Sequence, residues 1–262
     1  MHDDLFRIER GANGVATVTL TRPEIHNAFD DRLIAALTRD LLDLAGEPGV
    51  RVIVLTGAGR SFSAGADLNW MKRTALFDEA ANLADARALA GLMATLDRLE
   101  KPTVARVNGA ALGGGLGLVC TCDIAIAAED AVFGMPEVRL GIIPAVIGPY
   151  VVRAIGPRHA RRLMLTGERI TAAEACRIGL VHEVVPAAEM DGATARVVES
   201  LLAGGPEAIT EAKRLVADVG LRPVDQHVLE IAAERIARIR IAAEAREGIA
   251  AFLEKRKPTW RG

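Results

Sequence analysis

The chain has 262 residues, of which half are hydrophobic and a quarter charged, and its formal net charge is −2. This balance argues against an extended nucleic-acid surface, and 3% aromatic residues are too few for base-stacking platforms. Charged residues or prolines interrupt the apolar runs before they reach membrane-spanning length. With three cysteines that form no C-x-x-C pair and no signal-peptide pattern, the sequence predicts a cytoplasmic protein with reduced thiols.

The first part of the chain alternates between strand and helix patterns, which predicts the α/β class. Apolar residues at helical spacing follow the first strand, and a second helix is predicted over residues 78–99. Beyond Pro157 helical patterns dominate and end in one long helix over residues 223–255. We therefore predict a core over residues 1–195 and a helical C-terminal region over residues 196–262. The predicted core strands are residues 15–20, 50–56, 103–107 and 124–127.

A glycine-rich stretch, Asn108–Leu118, follows the strand at 103–107 and leads into an apolar segment that can continue as a helix. Consecutive glycines at such a junction let backbone N–H groups approach a ligand, and the start of a helix favours negative charge. The stretch therefore suits a phosphate or a carbonyl oxygen that gains negative charge. A tight turn that needs glycine only for packing explains the glycines equally well.

Several common chemistries are missing from the sequence. The third glycine of a dinucleotide fingerprint is replaced by Leu118, and neither a P-loop Gly-Lys-Ser/Thr nor a Gly-x-Ser-x-Gly motif occurs. The five histidines are scattered without metal-ligand spacing, so no metal site is expected. Backbone electrostatics and carboxylates remain as the candidate catalytic groups.

Four motifs then follow one another in an order that resembles the crotonase (enoyl-CoA hydratase/isomerase) superfamily. They are Ser61-Phe-Ser-Ala-Gly-Ala-Asp-Leu68, Asn108-Gly-Ala-Ala-Leu-Gly-Gly-Gly115, Cys122-Asp-Ile124 and Phe133-Gly-Met-Pro-Glu-Val-Arg-Leu-Gly-Ile-Ile-Pro144. The resemblance implies a crotonase (ClpP-like) fold of repeated ββα units and a homotrimer or dimer of trimers. It also implies an acyl-CoA thioester substrate, with coenzyme A as part of the substrate and no separate cofactor.

The resemblance assigns roles to individual residues. The thioester oxygen is expected between the backbone N–H groups of Ala66 and Gly114, with Glu137 as the acid/base. Coenzyme A is expected along the backbone near Ala64, Asp67 and Leu68, and Phe252 and Lys255 match a segment that reaches the coenzyme A of a neighbouring subunit. Trp70 and Met71 are expected to pack, and lining the acyl pocket is the alternative role for both.

A finer pattern resembles the branch of methylglutaconyl-CoA and isohexenylglutaconyl-CoA hydratases. It includes Ala66-Asp-Leu-Asn-Trp-Met-Lys-Arg73 and Pro144-Ala-Val-Ile-Gly-Pro-Tyr150. This branch implies a hydratase of a branched unsaturated acyl-CoA in leucine or isoprenoid-acid breakdown. Because such acyl groups carry a distal carboxylate, we hypothesise that Lys72, Arg73 or Arg139 binds it.

One departure leaves the reaction type open. Hydratases of the superfamily typically use two glutamates, and the first would fall at Gly117. A single carboxylate, at the position of Glu137, is what several Δ3,Δ2-enoyl-CoA isomerases use. An isomerase is therefore the alternative to a hydratase, and a non-catalytic CoA- or RNA-binding homologue is a second alternative.

Overall fold

The computed structural model describes residues 4–261, and this range contains ten strands and ten α-helices. The strands are β1 (Phe6–Arg10), β2 (Val15–Leu20), β3 (Val52–Gly57), β4 (Ser61–Ser63), β5 (Thr103–Val107), β6 (Ala110–Leu112), β7 (Ile124–Ala128), β8 (Val132–Gly134), β9 (Arg169–Thr171) and β10 (Glu183–Val185). The helices are α1 (Asp31–Gly46), α2 (Leu68–Thr74), α3 (Glu79–Arg98), α4 (Gly114–Thr121), α5 (Gly148–Thr166), α6 (Ala172–Arg177), α7 (Met190–Ala203), α8 (Pro206–Val219), α9 (Gln226–Arg240) and α10 (Ala243–Leu253).

The larger sheet has six strands in the order β1-β2-β3-β5-β7-β10, and every neighbouring pair is parallel except β1 with β2. Its central strand β3 is buried along its whole length, as its continuous apolar sequence predicted. Alternate residues of this strand serve two apolar clusters: Ile53 packs on the side of α1 and α3, and Val54 packs on the side of α7. The sheet is thus covered by helices on both faces.

The smaller sheet has four strands in the order β4-β6-β8-β9, with β4, β6 and β8 parallel. Along the chain, β3 and β4, β5 and β6, and β7 and β8 form pairs in which the first strand joins the large sheet and the second the small one. Helical structure follows each pair, so the architecture consists of ββα repeats as predicted. Because β4, β6 and β8 are parallel neighbours, the segments that follow them lie at one edge of the small sheet.

The C-terminal helices differ in detail from the sequence prediction. The single helix expected over residues 223–255 is wrong, because Ala242 has extended backbone angles that separate α9 from α10. The helix α5 begins at Gly148, with Pro149 in its first turn. The boundary expected between residues 195 and 196 falls inside α7, which packs on the large sheet.

Two negative findings concern the described range alone. No helix within residues 4–261 combines the length and the apolar sequence needed to cross a bilayer. The same range holds no group of three or more His, Cys, Asp or Glu side chains arranged to bind a metal ion. Cys120 and Cys122 are buried core thiols, and burial raises the pKa of Cys120 to about 12, which makes it a poor nucleophile.

Candidate active site

The candidate active site begins at the turn between β4 and α2. The Phe29 N–H donates to the carbonyl of Gly65 at 2.8 Å, and the Asp67 N–H donates to the carbonyl of Phe29 at 3.0 Å. These two bonds hold the chain on both sides of Ala66. Gly65 has φ +84°, and a Cβ there would lie 3.2 Å from the amide nitrogen of Gly114. The two segments predicted to hold the thioester oxygen therefore come together in the fold.

The second segment is the glycine turn between β6 and α4. Gly113 has φ +51°, which L side chains rarely adopt, and its N–H donates to the carbonyl of Gly134 at 2.9 Å. A Cβ on Gly114 would lie 2.3 Å from Cζ of the buried Phe29 ring. The glycines thus serve close packing, one of the two explanations that the sequence left open.

The same turn also leaves backbone donors free, which is the other explanation. Within residues 4–261, neither the Ala66 N–H nor the Gly114 N–H donates a hydrogen bond to a protein acceptor. Ala66 and Gly114 are both partly exposed. Gly114 is the first residue of α4, where the helix dipole adds positive potential.

Glu137 faces this turn from the short 3₁₀ helix Pro136–Leu140, which follows β8. A Cβ on Gly113 would lie 3.0 Å from Glu137 Oε1, so the carboxyl group fills the space beside that glycine. Oε2 is buried and has no hydrogen-bond partner among the described residues. Burial raises the pKa of Glu137, against a smaller lowering by its own backbone N–H. A carboxyl group in this state is suited to accepting and returning a proton near neutral pH.

Asp67, the residue after Ala66, uses both of its carboxylate oxygens in contacts within the fold. Its Oδ1 accepts hydrogen bonds from the N–H groups of Asn69 at 2.8 Å and Trp70 at 3.0 Å, which caps α2. Its Oδ2 lies 3.5 Å from Nη2 of Arg22. The other terminal nitrogen of Arg22, Nη1, donates to Asp30 at 3.0 Å. The carboxylate therefore holds the start of α2 and the preceding turn in position.

The remaining residues of the predicted coenzyme A segment flank Asp67. The N–H of Ala64 donates to the carbonyl of His26 at 2.9 Å, and the side chain of Leu68 is 73% exposed at the start of α2. Ala64, Asp67 and Leu68 thus form one ordered strand-to-helix turn beside Ala66. Their contact with coenzyme A stays a prediction.

The residues after Leu68 divide between packing and solvent. Trp70 is buried, and its indole N–H donates to Asp85 on α3 at 3.0 Å, as expected for a packing residue; Met71 is half-buried. Among the three candidate cations for a distal carboxylate, Arg73 pairs with Asp31 at 2.5 Å. The other two are exposed: Arg139 donates to the carbonyl of Thr166 over 3.4 Å, and Lys72 has no ion-pair partner within residues 4–261.

Gly117 does not border an open space. A Cβ at this position would lie 2.3 Å from Cγ2 of Ile147 and 3.3 Å from Cε of Met93. Ile147 stands in the segment Pro144–Tyr150 that carries the branch resemblance, and Phe29 precedes α1. No local signal identifies either residue, because each contacts α4 only through the tertiary fold.

Phe252 and Lys255 lie at the end of the chain, on and just after α10, which packs against α8 and α9. The Phe252 side chain is 82% exposed, and Lys255 is exposed with φ +54°. Within residues 4–261, neither Phe252 nor Lys255 forms a hydrogen bond or ion pair with the glycine turn. Their predicted role at the coenzyme A of a neighbouring subunit stays a prediction.

Comparison with known proteins identifies similar chains over nearly the full length. Residues 10–262 match the family model of enoyl-CoA hydratase/isomerase. The 2,3-dehydroadipyl-CoA hydratase of Escherichia coli is 36% identical over 256 residues, which cover 95% of each chain. An enoyl-CoA hydratase structure from Shewanella pealeana is 44% identical with a TM-score of 0.94, over 98% of this chain and 96% of that one.

A second similar structure is Pseudomonas aeruginosa AtuE, which is 37% identical with a TM-score of 0.94, over 98% of this chain and 100% of that one. The predicted crotonase fold and superfamily resemblance are therefore confirmed. The narrower branch, predicted from the segments around Trp70 and Ile147, stays a prediction.

Proposed function

The chain belongs to the enoyl-CoA hydratase/isomerase family, and we propose that it is a hydratase (lyase) that adds water to, or removes it from, a branched unsaturated acyl-CoA of the methylglutaconyl type. The observation that carries this proposal is the carboxyl group of Glu137. It lies half-buried beside Gly113, its buried Oε2 has no partner within residues 4–261, and two free backbone donors stand at the adjoining turns. Relatives named as hydratases support the same reaction type.

The proposed mechanism needs one carboxylate. Glu137 takes a proton from water while the water oxygen bonds to Cβ of the enoyl thioester, and the Cα–Cβ π electrons move to the thioester oxygen as an enolate. The N–H groups of Ala66 and Gly114 stabilise that oxygen, and losing one such donor typically costs about 3 kcal/mol of transition-state stabilisation. When the enolate collapses, Glu137 returns the proton to Cα. Dehydration is the reverse sequence.

The acyl group in this proposal carries a distal carboxylate, and Lys72 is its proposed partner. Arg73 already pairs with Asp31, and Arg139 is turned toward the carbonyl of Thr166. Lys72 is exposed on α2 and has no ion pair among the described residues. We expect Lys72→Ala to raise KM for a carboxylated enoyl-CoA but not for crotonyl-CoA, with Arg73→Ala as the matched control. Equal effects of both variants on both substrates would contradict this assignment.

The alternative is a Δ3,Δ2-enoyl-CoA isomerase, and one observation favours it. No second carboxylate stands at Gly117, and Glu137 alone could take a proton from Cα and return it to Cγ. The geometry of the two amides and Glu137 supports either reaction, because each passes through an enolate of the thioester, with negative charge on the same oxygen.

Direct assay distinguishes the candidate functions. The purified protein is offered crotonyl-CoA, methylglutaconyl-CoA and a 3-enoyl-CoA, and water addition and double-bond migration are followed separately. Hydration that is abolished by Glu137→Gln supports the proposal, and migration without hydration supports the isomerase. Inertness toward all three thioesters would contradict both and support the binding homologue.

Further parts of the proposal concern assembly and location. We place the protein in the cytoplasm and assign residues 196–262 to oligomerisation, as a homotrimer or dimer of trimers in which Phe252 and Lys255 reach a neighbour's coenzyme A. Large apolar side chains on α9 and α10, including Ile236, Ile249 and Phe252, are more than half exposed, which supports a covered surface in an assembly. Sedimentation of the purified protein measures its mass directly.

A further inference from the structure

The helix α4 presents two glycines, one turn apart, to two different neighbours. Gly113 precedes the helix, and the N–H of Gly117 donates to its carbonyl at 3.1 Å. The space that a Cβ would take beside Gly113 is bounded by Oε1 of Glu137, whereas the corresponding space beside Gly117 is filled by Ile147. The carboxyl group of Glu137 and the side chain of Ile147 therefore occupy the spaces that side chains at residues 113 and 117 would need.

The crotonase resemblance places the first glutamate of two-carboxylate hydratases at Gly117. This residue lies three residues after Gly114, which corresponds to about 4.5 Å along a helix axis. Residue 117 is thus a place where the fold could supply a second acid/base group.

The side chain of Ile147 fills the space beside Gly117. Ile147 is 3% exposed at the start of α5, and its carbonyl accepts the N–H of Val151 at 3.1 Å as part of the first turn. Met93 of α3, which is fully buried, bounds the same space from another side. Gly117 itself is buried. No side chain can enter at residue 117 unless Ile147 moves.

We propose that Ile147 is a specificity-determining residue that fills the space for a second acid/base side chain and so restricts the enzyme to the single carboxylate of Glu137. This inference rests on the proposed function and concerns the same site. It explains why Gly117 stands at this position: glycine is required by Ile147, and both residues together define the one-carboxylate site. Ile147 acts through the space it occupies and does not touch the reacting atoms.

The geometric half of the proposal is tested by stability alone. Gly117→Ala in the wild-type background is expected to lower Tm by about 5 °C or more, because the new methyl group overlaps Ile147. In an Ile147→Ala background the same substitution is expected to leave Tm unchanged or raise it, since the space is open and alanine favours a helix over glycine. An equal loss of Tm in both backgrounds would overturn the proposal, whatever the enzyme's activity.

The chemical half is tested with Gly117→Glu/Ile147→Ala, and Gly117→Gln/Ile147→Ala is the matched control of equal size without an ionisable group. Crotonyl-CoA hydration is measured against pH for both double variants and for Ile147→Ala. We expect the glutamate variant to hydrate at least about tenfold faster than either control and to show an additional ionisation in its pH–rate profile. A gain that the glutamine variant shares, or no gain and no added ionisation, would overturn the proposal.

These outcomes are separable from failure of the proposed function. If wild-type protein only migrates double bonds, the expected Tm pattern and the gain of hydration in the glutamate variant are unchanged. If the wild type is inert toward acyl-CoA thioesters and Glu137→Gln changes nothing measurable, the proposed function fails while the Tm pattern still reports on Ile147.

Discussion

Two carboxylates flank the candidate oxyanion site, and their surroundings are opposite. Asp67 follows β4 and accepts two backbone N–H groups in addition to its contact with Arg22. Glu137 follows β8, two strands away in the same small sheet, and its Oε2 has no partner among residues 4–261. The carboxylate of Asp67 is bound within the fold, whereas Oε2 of Glu137 is left without a partner and can bind a ligand.

This difference indicates that Asp67 has a structural role and that Glu137 can take part in a reaction. A carboxylate that accepts several hydrogen bonds is held in one orientation. A partly buried carboxyl group with one unpaired oxygen has a raised pKa and remains able to exchange a proton, at a cost to the stability of the folded state when it is ionised. Both groups follow a strand of the small sheet, so burial and hydrogen-bond partners make the two groups different.

The largest effect is expected on kcat, when the carboxyl group of Glu137 is replaced. Glu137→Gln is expected to lower kcat by about 10²- to 10⁴-fold, because the only proposed proton carrier is lost. Its Tm is expected to equal or exceed that of the wild type at neutral pH, since burial disfavours the ionised carboxylate that is removed. A normal kcat in this variant would contradict the assigned role.

The next effect is the pH dependence of the wild type. Because burial raises the pKa of Glu137, the group is protonated at pH values where an exposed glutamate is already ionised, and it then cannot accept a proton. We expect kcat/KM to fall up to tenfold per pH unit on the acid side, with a midpoint above the ordinary range of glutamate. A profile that stays flat down to the ordinary range would argue against a buried catalytic carboxyl group.

Stability should also depend on pH through Glu137 with a defined sign. A carboxyl group with a raised pKa in the folded protein contributes fully at low pH, and its contribution is lost as pH rises through the folded-state pKa. The Tm of Glu137→Gln relative to the wild type should therefore increase as pH rises toward neutrality. Thermal unfolding of both proteins across this range measures the difference, and a decrease would contradict the raised pKa.

A smaller effect is expected on the Asp67 side. Asp67→Ala removes the cap of α2 and is expected to lower the free energy of unfolding by about 0.5–2 kcal/mol. Asp67→Asn is the matched control, because its side-chain oxygen can still accept the N–H groups of Asn69 and Trp70 while the charge facing Arg22 is lost. Denaturant unfolding should therefore rank the wild type first, Asn second and Ala last.

The smallest effect concerns the packing next to Asp67. Trp70→Phe removes the hydrogen bond from the indole N–H to Asp85 and is expected to cost about 0.5–1.5 kcal/mol of unfolding free energy. Since Trp70 packs between α2 and the core, the catalytic rate should change far less than in Glu137→Gln. A loss of kcat as large as in that variant would show that Trp70 touches the acyl group.

Much of the fold follows from local patterns in the sequence. The continuous apolar run of β3, the alternating β2 and the helical spacing in α1 and α3 depend on periodicity, which survives in one dimension. The short strands of the small sheet were not predicted as strands, because segments of three residues carry too little pattern. The break at Ala242 was missed for a similar reason: no proline or glycine marks it.

The candidate site divides in the same way. By itself the sequence determined the glycines, the carboxylate Glu137 and their order along the chain, because motif spacing and side-chain chemistry are local properties. Only the tertiary structure decided that Phe29 forces glycine at 114, that Ile147 forces glycine at 117 and that Oε2 of Glu137 has no partner within the described residues. These contacts join residues far apart in the chain, and steric fit and burial exist only once the elements have packed.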